Sequence, residues 1–147
     1  MKRIFFSVVK MVFALLFIVS VAGTVCAADN MTVIVNKANM NTVNKSQVAK
    51  IYSGDMAAWP SGGSIAAFDL PEDSTERAAF TTRLLGKSVR VLKAQWAAKL
   101  FAGRATPPKV VGSDEEMKRA VAGNKNAIGY IRTSSLDDTV KSILTVD

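Results

Sequence analysis

The chain has no histidine and one cysteine, Cys26. The first absence removes the commonest general base and the usual imidazole ligands of zinc. The second leaves no disulfide framework, and no thiol nucleophile once Cys26 leaves with the N-terminal segment. There is no Gly-x-Ser-x-Gly elbow, no Walker loop and no Gly-x-Gly-x-x-Gly turn, so three large enzyme classes lose their usual machinery. Carboxylates can pair as acid and base. Asp69, Glu72, Asp73 and Glu76 do cluster in sequence, but three of them have plain local duties as turn residue, cap and cap partner. Asp114, Glu115 and Glu116 are consecutive helical residues that diverge rather than converge on one cation. Their position suits a helix N-terminus. These absences argue against an enzyme and imply no cofactor and no metal.

Long apolar runs are also missing. The longest, Met11–Val21, falls short of the ~20 residues that span a bilayer. Lys2, Arg3 and Lys10 surround or precede it, and Val25-Cys26-Ala27 fits a small-x-Ala cleavage site. Residues 1–27 are therefore expected to be a cleaved secretory signal peptide, with a periplasmic mature domain over 28–147. Val25 before Cys26 does not fit a lipidation site. Cleavage takes three positive charges from the formal +7 and leaves about +4, a mild basicity that suits small anions or an anionic surface. With aromatics at 7 % and an export signal, nucleic acid is not an expected partner.

The mature chain alternates short apolar runs with capped helices. Strands are expected at 30–36, 65–70, 109–111, 127–131 and 140–146. Helices are expected over 45–52, 74–85, 89–101 and 114–122. Asn44/Gln47 and Ser113/Glu116 form capping boxes, Ser88 is an N-cap, and Gly54, Gly86, Gly103 and Gly123 are stops. The third helix has Val89, Leu92, Trp96 and Leu100 as its inward stripe and Lys87, Arg90, Lys93 and Lys99 as a solvated basic face. Trp59 is expected to anchor a loop and Trp96 to lie in the core. The pattern specifies an α/β domain with helices flanking one mixed sheet.

Asp69–Phe80 (Asp-Leu-Pro-Glu-Asp-Ser-Thr-Glu-Arg-Ala-Ala-Phe) is the most informative stretch. It runs from a strand through a polar loop into a helix, with Asp73 as expected cap and Glu76 as its box partner. Free N–H groups and the helix dipole make such a start an anion site. The carboxylates of the loop act in the opposite direction.

The order of short motifs resembles a known family. Ser46–Gly54 (Ser-Gln-Val-Ala-Lys-Ile-Tyr-Ser-Gly), Trp59-Pro60, the Ser74 helix start and Ala127-Ile-Gly-Tyr-Ile131 are similar to the phosphate-binding proteins of bacterial ABC importers. Those proteins close two lobes on phosphate, and this chain resembles one lobe. The resemblance implies a single lobe of a periplasmic-binding-protein-like fold. It also implies an anion held by Ser74, Thr75, Glu76 and Arg77. The loop departs from the family at three points: Thr75 replaces a glycine, Glu76 replaces a threonine, and Leu70 stands where the family's phosphate-pairing arginine falls. Arg77, one turn into the helix, is the candidate replacement.

The function implied is non-enzymatic binding of inorganic phosphate or another small oxyanion, in concert with a membrane transporter or sensor component. The alternative is a protein-interaction module that kept the lobe and lost the ligand. A homodimer that sets two loops face to face would restore the missing half.

Overall fold

Strand β1 (Met31–Val35) is buried along its whole length, because the sheet flanks it on both sides and helices lie above and below. A computed structural model describes residues 29–147; the expected signal peptide and Cys26 lie outside the described residues. The five strands run in the order β3 (Lys109–Val110), β2 (Ala66–Asp69), β4 (Ala127–Arg132), β1, β5 (Lys141–Val146). β2 is parallel to β3 and β4, whereas β1 is antiparallel to β4 and β5. The sheet is thus mixed, and the α/β expectation holds.

Side-chain alternation along β4 separates the two faces. Tyr130 points to helix α2 (Thr75–Leu85) and stacks on Phe80 with ring centroids 3.7 Å apart. Tyr52 from helix α1 (Lys45–Ser53) closes the trio edge-on at 5.0 and 5.7 Å. Gly129 points the other way, to helix α4 (Asp114–Ala122), where an added Cβ would collide with Met117 Sδ and press Val121 at 3.2 Å. Glycine there lets α4 lie close on the sheet. The molecule is therefore layered helix–sheet–helix, with apolar side chains buried on both faces of the sheet.

Most helix limits match the expectation because they are set by local chemistry. Asn44 and Gln47 form the reciprocal capping box of α1, and Gly54 closes it at φ 80°. Trp96 of helix α3 (Val89–Phe101) would come within 2.8 Å of a Cβ at Gly54, so that turn requires glycine on two counts. Trp96 donates to the Tyr52 carbonyl at 3.0 Å, and buried Trp59 donates to the Asn126 carbonyl at 3.0 Å. Both tryptophans take their expected places.

Three local expectations change. The N-cap of α2 is Ser74, not Asp73: a turn in which Ser74 N–H donates to the Pro71 carbonyl leaves Ser74 as the last extended residue. Glu76 then stands one position too early to close a box. In α4, Glu116 accepts from Gly112 N–H at 2.7 Å, one residue upstream of the expected partner. In α3, Leu92 and Trp96 are buried but Leu100 is 53 % exposed. Each i, i+4 step drifts ~40° around a 3.6-residue helix, so the third member has rotated off the core.

Candidate functional site

The C-terminal ends of β2 and β3 feed two loops that end in serine caps. Ser74 Oγ accepts from Arg77 N–H at 3.1 Å at the start of α2. Ser113 Oγ accepts from Glu116 N–H at 3.2 Å at the start of α4. Each serine uses a lone pair for its cap and keeps its hydroxyl proton available to donate. Among the described residues, no backbone carbonyl takes the N–H groups of Thr75 and Glu76. Both helix starts, with Leu70, Gly112 and Arg132, line one open cleft of about 370 Å³.

Arg132, at the end of β4, is the cleft's cation. Its Nε donates to Asp114 Oδ2 at 3.0 Å, and its Nη1 lies 3.8 Å from Glu76 Oε1. Asp114 is buried and also accepts from Ser135 Oγ at 2.7 Å. The hydrogen bond and charge of Asp114 raise the pKa of Arg132. The guanidinium is held by Asp114 through Nε only, and its two terminal nitrogens have no hydrogen-bond acceptor among the described residues. The three consecutive carboxylates of α4 diverge: Asp114 to Arg132, Glu115 to Lys118, Glu116 to Gly112.

Of the residues expected from sequence, Ser74 and Glu76 line the cleft, and Thr75 is exposed beside it with Oγ1 3.2 Å from Glu76 Oε2. Arg77 lies elsewhere. Its side chain is buried behind the loop, with Nη2 3.1 Å from Asp69 Oδ2 and Nη1 donating to the Leu70 carbonyl at 2.9 Å. Asp69 accepts as well from Tyr130 Oη and from Leu70 N–H. Burial pushes the Asp69 carboxyl and the Tyr130 phenol above their usual ranges. Among the described residues, Nε of Arg77 is buried without a hydrogen-bond partner. The pair fixes the strand-to-loop corner from which Ser74 projects.

Sequence reasoning missed Arg132, Ser113 and Asp114 as companions of Ser74. Ser113 was legible as a cap, but its nearness to Ser74 depends on the parallel pairing of β2 with β3.

The arrangement offers hydrogen-bond donors and one cation at two helix N-termini, which is the chemistry of anion binding. Comparison with solved structures places the fold. An ABC-type phosphate transport receptor from Vibrio cholerae is similar at 26 % identity and a TM-score of 0.62, covering 78 % of this chain and 45 % of that one. A chain assigned as a phosphate ABC transporter substrate-binding protein from Clostridium perfringens, with phosphate bound, is similar at 26 % identity and a TM-score of 0.62, covering 78 % and 44 %. PstS from Borrelia burgdorferi shares the fold at 16 % identity and a TM-score of 0.60, covering 78 % and 46 %. This chain thus spans less than half the length of these structures. Among curated proteins no sequence matches it. A family profile described as a PBP superfamily domain matches residues 21–145, and with the sheet and helix order above the chain belongs to the PBP superfamily.

Proposed function

We propose that this chain is an exported, non-enzymatic solute-binding domain that holds phosphate or another small oxyanion in the cleft between Ser74 and Ser113. The observation that carries this reading is the convergence of two serine-capped helix N-termini and Arg132 on one cleft. Ser74 and the N–H groups of Thr75 and Glu76 donate from one side, Ser113 from the other, and Arg132 supplies the charge that Leu70 does not. Arg77 acts from behind, by fixing the Asp69–Leu70 corner. Phosphate is favoured by the ligand named for the Clostridium perfringens structure. The expected setting is the periplasm after loss of residues 1–27, with a membrane transporter or sensor component as partner.

The alternative is an interaction module without a ligand. The contact of Arg132 with Asp114 and its nearness to Glu76 favour that reading, since an anion must compete with two carboxylates already in place. Calorimetry on the chain from Ala28, with phosphate, sulfate and a dicarboxylate, separates the two. Binding that is lost in Ser74→Ala and in Arg132→Ala is the expected result. No heat with any oxyanion at millimolar concentration sinks the proposal. A mass measurement in solution with and without phosphate tests whether two copies share one anion.

A further inference from the structure

Four of the large apolar side chains that the fold leaves in solvent sit on α3 and the neighbouring edge strand β3. Phe101 is 97 % exposed, Val110 54 %, Leu100 53 % and Val91 48 %. Leu100 and Val110 face a shared groove of about 260 Å³ over Trp96, Pro107 and Pro108, which makes the patch continuous from the end of α3 to β3. After Phe101 the chain turns at Gly103, φ 65°, and Arg104 N–H returns to the Lys99 carbonyl at 2.9 Å. Arg104 is thereby held beside the last turn of α3. Lys109 adjoins Val110 on the edge strand.

The charges around this patch divide into two sets. Lys93 is paired with Glu72 at 2.9 Å, and Lys99 with Asp55 at 2.6 Å. Arg90, Arg104 and Lys109 are exposed and have no carboxylate within 4.0 Å among the described residues. The acidic neighbours are thus already engaged, and the remaining field over Phe101 and Leu100 is positive.

We propose that this face docks on an anionic membrane surface, with Phe101 and Leu100 entering the headgroup–acyl boundary and Arg104, Lys109 and Arg90 meeting lipid phosphates. Apolar side chains interleaved with unpaired cations are the composition of an interfacial membrane contact. The centre of a protein interface is instead depleted of lysine, and its aromatic anchors fill pockets. Here the ring of Phe101 stands out of the surface. A second copy is disfavoured by charge, because a two-fold contact through this patch sets Arg104 and Lys109 against their own images.

The test uses the chain from Ala28, which contains every strand and helix of the described residues and their buried core between Met31 and Val146. Co-sedimentation is measured with vesicles of equimolar phosphatidylglycerol and phosphatidylcholine, and with pure phosphatidylcholine. Binding is expected to the anionic vesicles only and to fall with added salt. Phe101→Ser is expected to weaken it roughly tenfold or more, and Arg104→Gln/Lys109→Gln roughly 30-fold. Leu100→Ser gives a second apolar readout, and matching thermal melts establish that these surface variants fold. Absence of vesicle binding, equal binding to both vesicles, or binding unchanged in the variants overturns the proposal. So does a Phe101-dependent dimer in sedimentation, or Phe101-dependent capture of an acidic polypeptide such as polyglutamate without vesicle binding.

Discussion

Arg77 and Asp69 form a buried ion pair, Nη2 to Oδ2 at 3.1 Å, that locks the strand β2 to the loop preceding Ser74. Eight residues apart in sequence, they meet because α2 folds back over the end of β2. Removing one partner leaves a buried charge uncompensated, which typically costs about 3–5 kcal/mol. Arg77→Met is expected to lose stability on that scale in urea melts. The double change Asp69→Asn with Arg77→Met is expected to lose less, since neither charge is then orphaned. A double variant as unstable as the sum of both singles would show that the pair is not coupled.

Gly129 is the second mechanical dependence. A Cβ at this position meets Met117 Sδ and Val121 on α4. Gly129→Ala is expected to destabilise by about 1–3 kcal/mol, the usual cost of overpacking. Met117→Ala in the same chain should recover part of that loss, because it vacates the colliding atom. If Gly129→Ala melts at the wild-type temperature, α4 does not lie as close to β4 as described.

Lys118 ties α4 to the segment after β4 through Asp137 at 2.6 Å. The Lys118 hydrogen bond, with those from Thr139, holds the Asp137 carboxyl well below the usual carboxylate range. A carboxyl whose folded pKa is depressed adds stability above its unfolded pKa, near 3.9, and loses it as pH falls through the folded value. The stability gap between wild type and Asp137→Asn should therefore be full at pH 7 and shrink steadily below about pH 4. Denaturant melts at pH 7 and pH 3 check the sign, and a gap that widens on acidification would contradict it.

Glu76 places a carboxylate at the rim of the proposed anion cleft, beside Thr75 and Arg132. Like charges ~4 Å apart repel by roughly 4 kcal/mol at an effective dielectric near 20, and partial exposure screens this further. Glu76→Thr is expected to tighten phosphate binding by roughly 10- to 100-fold in calorimetry, with little change in melting temperature. Unchanged or weaker binding would mean that Glu76 orients Arg132 rather than opposing the anion.

Serine caps, most glycine stops and the strand at β1 were legible in the chain because each depends on neighbours within a few residues. The Ser88 cap and the span Val89–Phe101 of α3 match to the residue. Arg77 was not legible in the same way. Its position one turn into a helix beside an expected anion site gave no sign that Asp69 would draw it behind the loop. The shift of the α2 cap from Asp73 to Ser74 has a similar origin, since the Pro71–Ser74 turn decides which residue is the last extended one.

By itself the sequence determined an α/β domain, most of its helix limits and the presence of a helix start after β2, because these follow from capping chemistry and hydrophobic period. Only the tertiary structure decided what faces that helix start. Parallel pairing of β2 with β3 brings Ser113 and Asp114, and with β4 brings Arg132, to Ser74 and Glu76 across some forty to sixty residues. It likewise decided that Leu100 and Phe101 end in solvent, because the stripe that buries Leu92 and Trp96 has turned off the core by the last turn of α3. Contacts between distant segments depend on strand order and on the drift of a helix around its axis, and neither is written at any single position.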